Sequence, residues 1–109
     1  MTPEDFRRLA LELPEAVENA HLGTPDFRVA GKIFATLSAT RGTGVVKFIR
    51  EQQEMLCAAE PELFSPVPDR WGQSGWTILQ IASADEAGLR NALLLAWRNV
   101  APKRLRAAG

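Results

Sequence analysis

A chain of 109 residues, 46% hydrophobic and 24% charged, has enough apolar material for one hydrophobic core and is ordinary for a globular domain. Its 13 basic and 13 acidic residues cancel, which argues against a dedicated, strongly basic nucleic-acid binder. No apolar run approaches the roughly 20 residues that span a bilayer, the acidic start MTPEDF has no secretory character, and the single Cys57 cannot form an internal disulfide, so a reducing cytoplasm is the expected setting.

The first element is a helix. Thr2 is suited to cap it, Pro3 to its first turn, and Glu4 and Asp5 to its positive end. Phe6, Leu9, Ala10 and Leu13 then repeat at helical spacing until Pro14 stops the run. Residues 17–22, VENAHL, read as a short edge strand, with Gly23 and Pro25 in the turn that follows. Phe27-Arg28-Val29 and Ile33 to Leu37 alternate on either side of Ala30-Gly31-Lys32, the pattern of a hairpin. A second turn at residues 40–44 leads into a strand from Val45 to Ile49. Arg50 to Glu60 reads as a helix with Met55, Leu56 and Ala59 as its apolar stripe, ended by Pro61.

Residues 61–75 hold three prolines and two glycines and read as a loop, with a short strand near Phe64. The stretch RWGQSGWTILQI, Arg70 to Ile81, divides into the end of that loop, up to Gly75, and a strand from Trp76. Ser83 to Glu86 has capping-box form. Leu89, Leu93, Ala96, Trp97 and Val100 give the strongest helical stripe, Pro102 ends it, and residues 103–109 form a basic tail. Strands grouped between terminal helices predict a single α+β domain: an antiparallel sheet with helices packed on one face.

Catalysis finds little support. One histidine, His21, and one cysteine cannot make a metal cluster or a nucleophile–base–orienter set, so no metal, cofactor or enzymatic activity is expected. His21 beside a turn and Cys57 beside the apolar stripe of the middle helix both read as structural. Trp97 and Trp76 read as core. Trp71 sits in the loop beside Arg70, where an aromatic ring can stack on a nucleobase or fold back as a lid on the sheet.

The charge is unevenly distributed. Residues 26–50 carry five bases and one acid, residues 51–69 five acids and no base, and residues 70–109 six bases and two acids. Arg28 and Lys47 alternate with apolar strand neighbours, and Lys32 and Arg41 fall at the hairpin turns. If helices cover one face, these cations are expected on the other, where they can follow a phosphate backbone, with Arg70 and Trp71 stacking and Lys103, Arg104 and Arg106 as a basic arm. The alternative is a module that binds a protein or a small ligand, to which adjoining acidic and basic patches are also suited.

The run His21-Leu22-Gly23-Thr24-Pro25-Asp26-Phe27-Arg28-Val29, followed by Gly31-Lys32-Ile33-Phe34-Ala35, resembles the signature of the MmcQ/YjbR family. The likeness continues through Leu13-Pro14, Val46-Lys47, Trp71-Gly72, Gly75-Trp76-Thr77, Ala96-Trp97 and Val100-Ala101-Pro102-Lys103, nearly the whole chain. The resemblance implies a frataxin/CyaY-like architecture and a DNA-binding role of the "double wing" type, the wings corresponding to the turns at Gly31-Lys32 and Arg41-Gly42. The chain departs from a convincing DNA binder in its neutral net charge. Iron binding, the role the frataxin likeness brings with it, would fall on Glu4, Asp5 and Glu12 of the first helix; Arg7 and Arg8 interrupt that ridge.

Overall fold

Alternating apolar residues and two tight turns build a six-stranded antiparallel sheet, in the order β1-β2-β3-β4-β6-β5, in the computed structural model, which describes residues 1–107. The strands are β1 (Val17–His21), β2 (Thr24–Val29), β3 (Lys32–Ser38), β4 (Thr43–Lys47), β5 (Phe64–Pro66) and β6 (Trp76–Gln80). Leu22-Gly23 joins β1 to β2 and Ala30-Gly31 joins β2 to β3, each as a two-residue connection. Both central residues of each turn have positive φ, +52° and +81° in the first and +51° and +81° in the second. That is the type I′ arrangement, whose twist matches the strands. Lys32 is therefore the first residue of β3 rather than part of the turn.

Cross-strand partners share a face of the sheet. Phe27, Ala35, Val46 and Thr77 form one row, and Leu37, Gly44, Leu79 and Phe64 the next; all are buried beneath the helices. Alternation breaks once. Phe27 pairs with Ala35 while Arg28 pairs with Ile33, so Phe34 is an extra residue, and both Phe34 and Ala35 are buried. A bulge of this kind re-aims side chains without ending the ladder.

Three helices cover this face. α1 (Pro3–Leu11) starts in a capping box: Asp5 N–H donates to Thr2 Oγ1, and Thr2 N–H donates back to Asp5 Oδ2 at 2.8 Å. It buries Phe6, Leu9 and Ala10. The Phe6 ring lies over Gly44, where a Cβ would collide with it, so β4 needs a residue with no side chain there. α4 (Glu86–Val100) buries Leu89, Ala92, Leu93, Ala96 and Trp97. Its cap is Asp85, whose Oδ1 accepts from Gly88 N–H at 2.7 Å, rather than Ser83, because Ile81–Ser83 is taken up by a 3-10 turn. Trp97 is fully buried, as expected, and its Nε1 donates to the Pro14 carbonyl at 3.1 Å.

α2 (Arg50–Ala59) packs beside β5 with a narrower stripe than its sequence suggests. Met55 is 62% exposed, Ala59 is exposed, and Leu56 and Cys57 supply the apolar contact. The best-buried residue of α2 is Gln53, whose Nε2 donates to the Gly72 carbonyl at 2.9 Å and lies within bonding distance of the Trp76 carbonyl and Thr77 Oγ1. The expected basic tail also takes on structure. α5 (Lys103–Arg106) buries Leu105 and ties Arg104 to Glu15, while the tail's last two positions, 108–109, lie outside the described residues. No helix among the described residues is long and apolar enough to cross a membrane.

Candidate nucleic-acid interface

The face of the sheet opposite the helices carries Asn19, Asp26, Thr36, Val45, Ile78 and Ser65 in one cross-strand row. Arg28 shares it through its pairing with Val17 and Ile33, and Lys47 through its pairing with Trp76. The strands run so that Arg28, Lys47 and Trp76 lie toward one end of this face, and the β3–β4 turn with Arg41 lies at the other. Arg28 and Lys47 are two strand spacings apart, about 10 Å.

A short helix closes the first end. α3 (Arg70–Gln73) replaces the loop expected there. Asp69 begins it at φ +72°, with Oδ1 accepting from Trp71 N–H at 3.0 Å. Gly75 ends the segment at φ +103°, and a Cβ on it would strike the Phe48 carbonyl. The Gln73 and Ser74 carbonyls are held in turn by Arg50 Nη1 at 3.3 Å and Lys47 Nζ at 2.6 Å. Trp71 thus stands on a segment fixed at both ends, 60% exposed, its ring meeting Trp76 edge-on at a centroid distance of 6.4 Å. It is not a lid over the sheet.

Trp76 is not core. It is half-buried on the open face, with Lys47 Nζ 5.3 Å from its ring centroid, a cation–π distance. The strand turns the other way because Thr77 is satisfied when buried: its hydroxyl donates to the Gly75 carbonyl at 2.8 Å, and Gln53 reaches it from α2. Burial lowers the Lys47 pKa from its ordinary value.

The remaining predicted cations do not all share this face. Arg28 is there, yet both its Nε and Nη2 donate to Asp26, at 2.9 and 3.1 Å, and the Asp26 carboxylate is buried. Lys32 pairs with Val29, which is buried on the helix side, so Lys32 falls on the opposite face from Arg28. Arg41 is exposed at the far end, beside a cleft of about 430 Å³ whose walls include Ser38, Thr43, Val45, Val67 and Ile78. Arg70 is exposed next to Trp71. Lys103 and Arg106 are exposed on α5, which follows α4, on the helix side of the sheet; Arg104 is occupied by Glu15 at 3.1 Å. The open face therefore brings together Lys47, Trp76, Arg70 and Trp71 near one end, with Arg28 partly neutralised beside them. Lys32 and Lys103 lie on the helix side, and Arg41 is at the other end.

Two supporting residues escaped the sequence reading. Arg50 holds the Gln73 carbonyl and pairs with Glu54, and Asn99 donates to the Lys47 carbonyl at 2.9 Å and to Gln52 Oε1 at 2.8 Å. Both act across long sequence separations, which no local pattern announces. No group of three or more histidine, cysteine or acidic side chains among the described residues is placed to hold a metal ion. Burial raises the Cys57 thiol pKa, which disfavours the reactive thiolate. His21 is exposed at the end of β1, on the same side as Asn19 and Val17.

A protein-family model described as YjbR matches residues 11–99. No curated protein matches the sequence. Among solved structures, the chain is similar to the Deinococcus radiodurans protein DR2400, a crystal structure assigned to the family domain DUF419, with a TM-score of 0.72 and 22% sequence identity over 98% of this chain and 86% of that one. At that identity the likeness shows a shared fold alone.

Proposed function

The chain belongs to the YjbR family, and from that premise we propose that it is a non-catalytic domain that binds nucleic acid weakly at the α3 end of its open sheet face. Trp71 is the stacking ring, and Arg70 and Lys47 are the nearest phosphate contacts. Arg28 adds little, since Asp26 already holds its guanidinium. Lys32 and Lys103, on the helix side, and Arg41, at the other end of the sheet, lie outside this site.

One observation carries the reading: a large ring, 60% exposed, on a segment anchored at both ends and flanked by cations. An exposed ring held in place loses little freedom on stacking, and a stacked base contributes about 1–3 kcal/mol. A flat aromatic platform is suited to single strands better than duplex, whose bases are already stacked. Tryptophan fluorescence and anisotropy titrations with short single- and double-stranded DNA at two salt concentrations test it. Quenching, tighter binding of the single strand and steep loss of affinity with salt are the expected results. Salt-insensitive affinity, or no binding at low salt, would overturn the proposal.

A second reading rests on the cleft beside Arg41. Its volume, about 430 Å³, lies in the range of small-molecule sites, and it joins an arginine and hydroxyls to the apolar Val45, Val67 and Ile78. That lining is suited to a small carboxylate or phosphate ester with an apolar body. A thermal-shift screen of such anions, with Arg41→Ala as the control, separates this reading from the first, because Arg41 and Trp71 lie at opposite ends of the sheet.

A further inference from the structure

The two edges of the sheet are protected unequally. β5 is three residues long and ends in Pro66, and short length and proline are both devices that blunt an edge. β1 has five residues, all exposed, with no proline and no lysine among them. Its one carboxylate, Glu18, pairs across to Phe27 on the helix side and is engaged by Arg7 Nε at 3.0 Å.

The direction of the free backbone groups follows from the turn. In a two-residue hairpin the residues flanking the turn bond to each other, here His21 and Thr24. Bonding then alternates along the strand, so His21, Asn19 and Val17 direct their N–H and C=O groups toward β2, and Glu18 and Ala20 direct theirs away from the sheet. In agreement, Ala20 N–H bonds to its neighbour's side-chain oxygen, Asn19 Oδ1, at 2.9 Å. Two apolar side chains stand uncovered along the same edge. Val17 is 55% exposed, and Leu22 is 93% exposed in a left-handed conformation that leucine rarely adopts.

We infer that β1 is a self-association edge that pairs antiparallel with β1 of a second copy, about a twofold axis through Asn19, so that two sheets run on as one. This register sets Glu18 opposite Ala20 of the second copy, Val17 opposite His21, and Leu22 opposite Ala16. Glu18 and Ala20 both present outward groups, so each such pair exchanges two hydrogen bonds, four in all, with the Ala20 N–H giving up Asn19 Oδ1 for the carbonyl of the second copy. No like charges face each other. Centring the pair on Glu18 would oppose two carboxylates. Centring it on Ala20 would set Val17 against Gly23, past the end of the strand. Pairing about Asn19 uses all five residues and brings Leu22 against the Ala16-Val17 end of the second copy, covering both exposed apolar side chains. Five paired residues per copy make a small interface, so the dimer is weak and forms with rising concentration.

Sedimentation velocity over a concentration series, with circular-dichroism melts alongside, is the experiment. The wild-type sedimentation coefficient rises toward the dimer value. Asn19→Lys, which opposes two cations at the axis, weakens dimerisation severalfold without changing the melt. Leu22→Asn moves the two readouts apart: asparagine is at ease at positive φ, so the melting temperature rises while the dimer weakens. In a Cys57→Ser background, Asn19→Cys forms a disulfide-linked dimer in air, because facing residues at a non-hydrogen-bonded position lie about 4.5 Å apart at Cα, within disulfide range. A single-chain mass at the highest concentration reached overturns the inference. So does a dimer that Asn19→Lys leaves unchanged, or one that Asn19→Cys fails to cross-link.

Discussion

Arg28 closes over Asp26, its neighbour two residues back on β2, in a two-point contact that leaves the carboxylate buried on the face of the sheet without helices. The same contact raises the Arg28 pKa above its ordinary value. A cation engaged in this way is a structural part of the sheet before it is a ligand for phosphate.

The first prediction follows from that pair. Arg28→Ala leaves a buried carboxylate without its partner, and removing one member of such a pair destabilises more than removing both. The single variant should lose several degrees of melting temperature, and Asp26→Ala/Arg28→Ala should recover part of the loss. Thermal melts of the two variants and of Asp26→Ala complete the double-mutant cycle. If Arg28→Ala melts with the wild type, the contact adds nothing to the fold and Arg28 is free for binding.

Gly44 provides a test of packing. Its missing side chain makes room for the Phe6 ring, and the nearest atoms to a Cβ there all belong to that ring. Gly44→Ala should cost about 1–3 kcal/mol, the usual range for overpacking, measured by urea unfolding. Phe6→Leu in the Gly44→Ala background should restore part of it, since a smaller side chain vacates the contact. A neutral Gly44→Ala would mean that the ring moves aside freely.

How far the sequence could be read is clearest in these elements. Thr2, Pro3 and Asp5 mark α1 because a cap is a local device, whereas both hairpin turns are tighter than the sequence pattern suggests: Leu22-Gly23 and Ala30-Gly31 each reverse the chain in two residues, which leaves Pro25 in β2. The β2–β3 turn also decides the place of Lys32: with Ala30 and Gly31 as the two turn residues, Lys32 faces Val29 and falls on the helix side. Reading Lys32 as part of the turn loses that step. Trp76 reads as core from sequence because alternation shows that a strand has two faces without saying which one the helices cover. The answer lay in Gln53, 23 residues away, which satisfies the buried Thr77. Met55 likewise reads as apolar and inward, but α2 packs over too narrow a stripe to cover it.

The tryptophans can be separated by spectroscopy. Trp97 is fully buried and should emit in the blue and ignore added ligand, whereas Trp71 should emit toward the red. Trp71→Ala should remove most of the quenching by single-stranded DNA and weaken binding about 5- to 150-fold, the equivalent of one lost stacking contact. The melting temperature should change little, because the ring is mostly in solvent. Quenching that survives Trp71→Ala would place the nucleic acid elsewhere.

The α1 cap should reveal itself through pH. Hydrogen bonds from the Thr2 backbone and hydroxyl, with Arg8 nearby, lower the Asp5 pKa from its ordinary value. A carboxyl whose folded pKa is depressed contributes stability above its unfolded pKa, and that contribution is lost as pH falls through the folded value. Thr2→Ala removes the capping hydroxyl and should cost about 1 kcal/mol at neutral pH. The cost should shrink on acidification, because Thr2 Oγ1 donates to the charged Asp5 carboxylate and that acceptor is lost when the carboxyl takes up a proton. Urea unfolding of wild type and Thr2→Ala at neutral pH and below the carboxylate range measures the difference directly. A cost that stays constant across that range would mean that Thr2 caps the helix independently of the Asp5 carboxylate, through the Asp5 N–H bond alone.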